Sequence, residues 1–243
     1  MILGEKPYLR LVSRIFLFLH RSGFLRTFKK FQTHYLVKKL IKKGDTIIDI
    51  GANLGYYSSI FATQTGKEGK VLAVEPIPLY RKILISNTRR FGNVDIIPFG
   101  LGENSGEATM GIPSKNKFRH GLTRVLDNND DSQIAGYRVT IKSPESLFSD
   151  LPRLDYIKCD IEGYEDKVIP GFQKLINKFT PIIQIELEKS NFDSIDDYLI
   201  GLNYKRFIVS GRKLVSLDSS KEYSSDIIYI PGNRVVEFSG IIH

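Results

Sequence analysis

Four acidic residues stand where apolar runs stop. Asp49 closes the apolar part of "TIIDIGANLGYYSS", Glu75 ends "KVLAVE", Asp160 ends "DYIKCD", and Glu186 lies in "IIQIEL". Glu162 follows Asp160 in "KCDIEGYE". A carboxylate at a strand end can hold a cationic or hydroxylic group, or take a proton in acid–base work. Clustering of Asp160, Glu162 and Glu186 would raise the pKa of at least one, which suits a base. His120, in the polar stretch "SKNKFRHGLTR", is a further candidate base. Glu188 is a weaker one than Glu186, because alternation along a strand turns one of the two aside.

Asp49 is followed by Gly51 and Gly55. Glycine permits positive φ and close approach to the backbone, and a helix N-terminus offers free N–H groups to an anionic ligand group. A dinucleotide fingerprint, Gly-x-Gly-x-x-Gly, fails at Asn53 and Tyr56. A phosphate-binding loop ending Gly-Lys-Ser/Thr is absent. S-adenosylmethionine has a zwitterionic amino-acid end and a positive sulfonium, and an acid with a glycine turn suits it better than it suits a pyrophosphate. Glu75, twenty-six residues after Asp49, stands where an acid can accept both ribose hydroxyls. Pro76 then turns the chain outward.

The elements that must position these groups are readable as short β runs at 46–50, 70–75, 93–99, 155–160 and 182–187. Most are continuous apolar runs, as in a parallel sheet covered on both faces. Helix-length stretches at 55–64 and 78–91 separate the early ones. This alternation predicts a doubly wound, Rossmann-like α/β domain over residues 44–243. Residues 103–142 break the spacing with polar, turn-rich sequence and a weak strand at 137–142, and read as a substrate-side insertion or lid. Ser143-Pro144-Glu145 has the pattern of a helix start. A helix at 194–201, a hairpin around Ser210-Gly211-Arg212 and the run "DIIYIP" complete the chain. Lys158 is expected to point away from the crevice, and Cys159 to sit in the core.

Of 243 residues, 42% are hydrophobic, enough for a sizeable core. The single cysteine excludes an internal disulfide and fits a reducing, cytoplasmic setting. No zinc-type Cys/His spacing is present, and no metal is assigned. The net charge of +8 is concentrated: residues 1–43 hold eleven Lys/Arg and one acid, while the other 200 hold 24 bases and 26 acids. Within this segment Ile15–Leu19 is far shorter than the roughly 20 apolar residues that span a bilayer. Leu9, Val12, Phe16 and Leu19 recur at helical spacing, which predicts a helix packed on the domain with a solvated basic face. Peripheral contact with anionic lipid is the sharper reading. Nucleic acid is disfavoured, since no RNA-binding motif accompanies the charge.

"IIDIGANLGYYS", "VLAVEPIP", "LDYIKCDIEGYEDKVIPGF" and "IIQIELE", in this order, resemble the FkbM-type S-adenosylmethionine-dependent methyltransferases over residues 44–188. The most specific string is Lys-x-Asp-x-Glu-Gly-x-Glu at Lys158–Glu165. The resemblance implies a seven-stranded, mostly parallel sheet with an antiparallel last strand. It implies that Asp49, Gly51, Asn53 and Gly55 line the methionine end and Glu75 the ribose, and that the loop at 100–103, with Leu101 and Gly102, lies near the adenine. Ala52, Tyr56 and Pro76, within the same turns, are taken as cofactor-binding with them, as is Asp160. The implied chemistry is methylation of a hydroxyl on a sugar, glycan or secondary metabolite, with Asp160, Glu162, Glu186 and His120 as catalytic candidates. Pro170 departs from the pattern and should kink the helix after the acidic motif. Two other functions compete. One is a non-catalytic module that keeps the ligand. The other is a nucleic-acid methyltransferase, which would usually carry Asp/Asn-Pro-Pro-aromatic where this chain has Asp-Ile-Glu-Gly. The acceptor and the oligomeric state are not readable.

Overall fold

A computed structural model describes residues 4–111, 136–187, 190–217 and 226–243, with the backbone of 124–125. In chain order the first strands are β1 (Thr46–Ile50), β2 (Lys70–Val74), β3 (Val94–Ile97), β4 (Gly100–Leu101), β5 (Gly106–Gly111), β6 (Arg124–Val125) and β7 (Tyr137–Lys142). They are followed by β8 (Tyr156–Cys159), β9 (Ile182–Ile185), β10 (Tyr204–Ser210), β11 (Lys213–Ser216) and β12 (Ile227–Pro231). The helices are α1 (Glu5–Arg21), α2 (Gln32–Leu36), α3 (Tyr56–Thr65), α4 (Pro78–Thr88), α5 (Pro144–Phe148), α6 (Glu165–Val168), α7 (Gln173–Phe179) and α8 (Phe192–Gly201).

The main sheet runs β11-β10-β12-β9-β8-β1-β2-β3. Its centre is parallel, from β3 through β2, β1 and β8 to β9. These strands lack polar alternation because both faces are covered. Ile48, Ile50, Ile157 and Cys159 pack with Phe148 and Phe172 in one core, whereas Ile47, Tyr156 and Ile182 pack with Leu36, Leu40 and Phe61 in another.

The strand count corrects the expectation of seven. The antiparallel β12 is inserted between β9 and β10, and β11 adds an eighth strand antiparallel to β10. The expected hairpin is β10–β11, and both of its arms belong to the main sheet. Residues 241–243 then run beside β11: Leu214 N–H donates to Ile241 O at 2.7 Å, and His243 N–H to Leu214 O at 2.8 Å.

The expected insertion carries structure of its own. β5 pairs antiparallel with β7 and β6, and β7 pairs with β4, making a second sheet in the order β4-β7-β5-β6. β5 escapes sequence reading because "GEATMG" is Gly-bounded, lacks a continuous apolar run and is half exposed. Ser143 caps α5 through its side chain, as its Ser-Pro-Glu start predicts. Pro170 lies in a 3₁₀ turn, 169–172, that separates α6 from α7.

The amphipathic α1 is integral to the domain. Leu9 packs with Leu54, Ile77, Tyr80 and Ile83. Asn87 Nδ2, on α4, donates to Ser13 Oγ at 2.9 Å and to Leu54 O at 2.8 Å, tying α1 to the turn before α3. No helix among the described residues is long and apolar enough to cross a membrane.

Candidate active site

In an open α/β sheet, ligands bind beyond the carboxyl ends of the parallel strands. Here a crevice of about 960 Å³ opens at those ends. The strands end one residue before Glu75, Asp160 and Glu186, so these acids stand at the crevice and not within the ladder.

Gly51 answers for its own geometry. Its φ is +75°, and a Cβ there would lie 1.9 Å from the carbonyl oxygen of Asp160. The close approach it permits is therefore between two strand-end turns of the protein. Gly55, at φ +84°, opens α3, and a Cβ there would lie 2.6 Å from Leu84 on α4. Gly55 is not among the residues that line the crevice. Gly51, Ala52, Asn53 and Tyr56 do line it.

Asp49 is fully buried. Its Oδ2 accepts from Ser58 Oγ at 2.6 Å. Its Oδ1 has no hydrogen-bond partner among the described residues, and the Lys158 ammonium is 4.0 Å from it. Burial raises the Asp49 pKa, partly offset by Lys158 and Ser58. A buried carboxylate oxygen at the crevice with an ion pair but no hydrogen bond fits a donor group such as the ammonium of S-adenosylmethionine.

Glu75 accepts from Asn53 N–H through Oε2 and from Ile77 N–H through Oε1, both at 2.8 Å. Burial pushes its carboxyl up to about 7, against the pull of those two donors. Each oxygen keeps a second lone pair for a hydroxyl. Pro76, Gly100 and Leu101 continue this wall. Gly102 lies outside it: its N–H pairs with Lys142 O at 3.2 Å, and its missing side chain makes room for Ile141.

Lys158 corrects the reading that turned it away. It lines the crevice and its Nζ lies 2.9 Å from Asp160 Oδ2. Residues i and i+2 of a strand share a face, so Lys158 follows Asp160 while Cys159 enters the core. Burial alone would lower the Lys158 pKa, yet the charges of Asp160 and Asp49 raise it. Its ammonium also sits 5.0 Å from the centre of the Tyr57 ring.

The turn after Asp160 is held by Glu165. Its buried carboxylate accepts from Ile161 N–H at 3.0 Å, from Gly163 N–H and from Asn191 Nδ2. That clamp holds Glu162 at a φ of +55°, a costly backbone for a side-chain-bearing residue. Glu162 and Glu186 both line the crevice. Partial enclosure, then the charges of Asp160 and Asp226, push Glu186 up to about 7 although it opens to the crevice. Among the described residues no group of three or more His, Cys, Asp or Glu is arranged to hold a metal ion. His120 and Glu188 lie outside the described residues.

Several crevice groups were missed in the sequence. Asp226, preceding β12, accepts from Gln184 Nε2 at 2.9 Å. His34 stacks on Tyr57 with ring centres 4.3 Å apart. Burial first, then neighbouring positive charges, lowers its pKa to about 3, so the imidazole is neutral. Phe16 meets Tyr56 at 4.3 Å and Phe31 at 5.5 Å. Lys29 and Lys30 complete this wall. Phe16, Lys29, Lys30, Phe31 and His34 come from the N-terminal segment, and Asp226 from the residue before β12.

The fold and its acidic strand-end crevice define a class I methyltransferase domain. The chain belongs to the family described as the methyltransferase FkbM domain, whose model matches residues 49–206. The family uses S-adenosyl-L-methionine, and Asp49 Oδ1 and the Glu75 carboxylate suit its two ends. The chain is 24% identical over 144 residues to the hexuronic acid methyltransferase AglP of Haloferax volcanii, covering 58% of this chain and 56% of that protein. It is 34% identical over 59 residues to a protein-L-isoaspartate O-methyltransferase of Methanococcus aeolicus, covering 24% and 27%. The match thus spans little more than half of the first curated relative and about a quarter of the second. The crystal structure of an FkbM methyltransferase from Methylobacillus flagellatus KT superposes with a TM-score of 0.53 at 16% identity, covering 78% of this chain and 44% of that one.

Proposed function

We propose that the chain methylates a hydroxyl oxygen of a sugar or glycan, and that Glu186 is the base. The observation that carries this reading is the pairing of two unlike walls in one crevice. One wall is the acidic strand-end set, Asp49, Glu75, Asp160 and Glu186. The other is aromatic, with Phe16, Phe31, Tyr56 and Tyr57, and has Lys29 and Lys30 among its residues. Aromatic faces pack against the apolar faces of sugar rings, and lysines suit an acidic sugar. The relative named for hexuronic acid methylation supports the same acceptor class.

S-adenosyl-L-methionine supplies, when bound, a methyl group activated by positive sulfur. Glu75 offers acceptors to the ribose hydroxyls, and Asp49 Oδ1 offers one to a positive group. The Glu165 clamp fixes the turn that carries Glu162, and Lys158 holds Asp160 at its start. Such positioning is the main source of acceleration in an in-line displacement. A neutral hydroxyl must also lose a proton, and Glu186, with a pKa of about 7, can take it near neutral pH.

The test is mass spectrometry of acidic and neutral oligosaccharides incubated with the protein and the methyl donor. A methyl gain on the acidic set is expected, at a rate that rises with pH through about 7. Glu186→Gln should slow it ~10²–10⁴-fold and remove that rise. Undiminished transfer in Glu186→Gln would dismiss the base, and undiminished transfer in Asp160→Asn/Glu162→Gln would dismiss the site.

A further inference from the structure

α1 has two apolar faces. Leu9, Ser13, Leu17 and His20 are buried against the domain. Leu11, Ile15 and Phe18 are 50%, 48% and 68% exposed on the opposite side. The exposed row continues past the helix through Phe24 and Phe28, at 61% and 49%. At about 100° per residue, Arg10, Arg14 and Arg21 form the adjoining row on α1. Arg26 follows in the turn beyond. Among the described residues no carboxylate lies within ion-pair distance of Arg14, Arg21 or Arg26.

We propose that this face of α1 and the turns after it docks on an anionic lipid surface. An exposed apolar row beside a basic row is what an interfacial helix presents to lipid: side chains enter the acyl boundary while bases meet head groups. A second copy of the chain would bring basic rows together without acids to offset them. Nucleic acid would use the charge but leave Leu11 and Ile15 in water. α1 cannot cross the bilayer, so it lies on it. Val12 and Phe16, on the inner side of the same helix, line the crevice. Docking would therefore set the crevice beside the membrane.

The experiment is co-sedimentation of the full chain with vesicles of phosphatidylserine and phosphatidylcholine, and with vesicles of phosphatidylcholine alone. Binding is expected only to the first, and to weaken with salt. Leu11→Ser/Ile15→Ser/Phe18→Ser and, separately, Arg14→Glu/Arg21→Glu/Arg26→Glu should each reduce it at least about tenfold. Unchanged melting temperatures would show that both variants remain folded. Absence of binding by the folded chain would overturn the proposal. So would binding untouched by either variant, or a dimer in solution that the apolar variant dissolves. None of these outcomes bears on methyl transfer.

Discussion

At the scale of single residues, the crevice depends on carboxyls held in unusual states. Glu75 rises from 4.5 to about 7 through burial. The folded chain therefore holds this proton more tightly than the unfolded one. Its contribution to stability is complete below pH 4.5 and is lost as pH climbs through about 7. Glu75→Gln keeps the shape and cannot ionise, so it should flatten part of the fall in melting temperature over that window. The same variant should weaken methyl-donor binding by about tenfold or more in calorimetry, since one charge-assisted acceptor is lost. Asp49, Glu75, Asp160 and Glu186 were legible because each ends an apolar run, and strand ends face the crevice. Lys158 was misread although the same two-residue period that placed Asp160 also placed it. Asp226 and His34 were not legible: nothing near them in sequence marks a site, and only the fold brings them to it.

At the scale of elements, the turn after β1 and the turn after β8 are interlocked. Gly51 admits the Asp160 carbonyl into the space of a side chain, and Glu165 pins the far side of the same turn. Gly51→Ala should cost at least about 2 kcal/mol in urea unfolding, from the left-handed backbone and the displaced carbonyl together. It should weaken methyl-donor binding as well, because Asp160 must move. A variant with unchanged unfolding would mean that the turn relaxes freely. The parallel strands were readable from continuous Ile, Val and Leu. β5 was not, since a half-exposed strand of mixed composition in a small sheet lacks the contrast on which such reading depends.

At the scale of the whole molecule, the N-terminal segment packs into the core of the methyltransferase fold. Its charge is separate, but its packing is not: α1 covers Leu54, Ile77, Tyr80 and Ile83 and lends Val12 and Phe16 to the crevice. Deleting residues 1–23 should lower stability by about 3 kcal/mol or more, from the burial of Leu9 and Leu17 alone. An unchanged urea midpoint would make the helix an appendage. Helical periodicity made its inner face legible, whereas nothing in the sequence showed that Val12 and Phe16 on that face reach the crevice.

The pairing of β11 with residues 241–243 bears on how the chain folds. A sheet edge with free N–H and C=O groups is a template for another chain. In the finished protein Leu214 has given that edge to Ile241 and His243. Until residues 241–243 dock, Leu214 offers its N–H and C=O to any other extended chain, so misassembly through this edge is a hazard of the incompletely folded chain and not of the folded one.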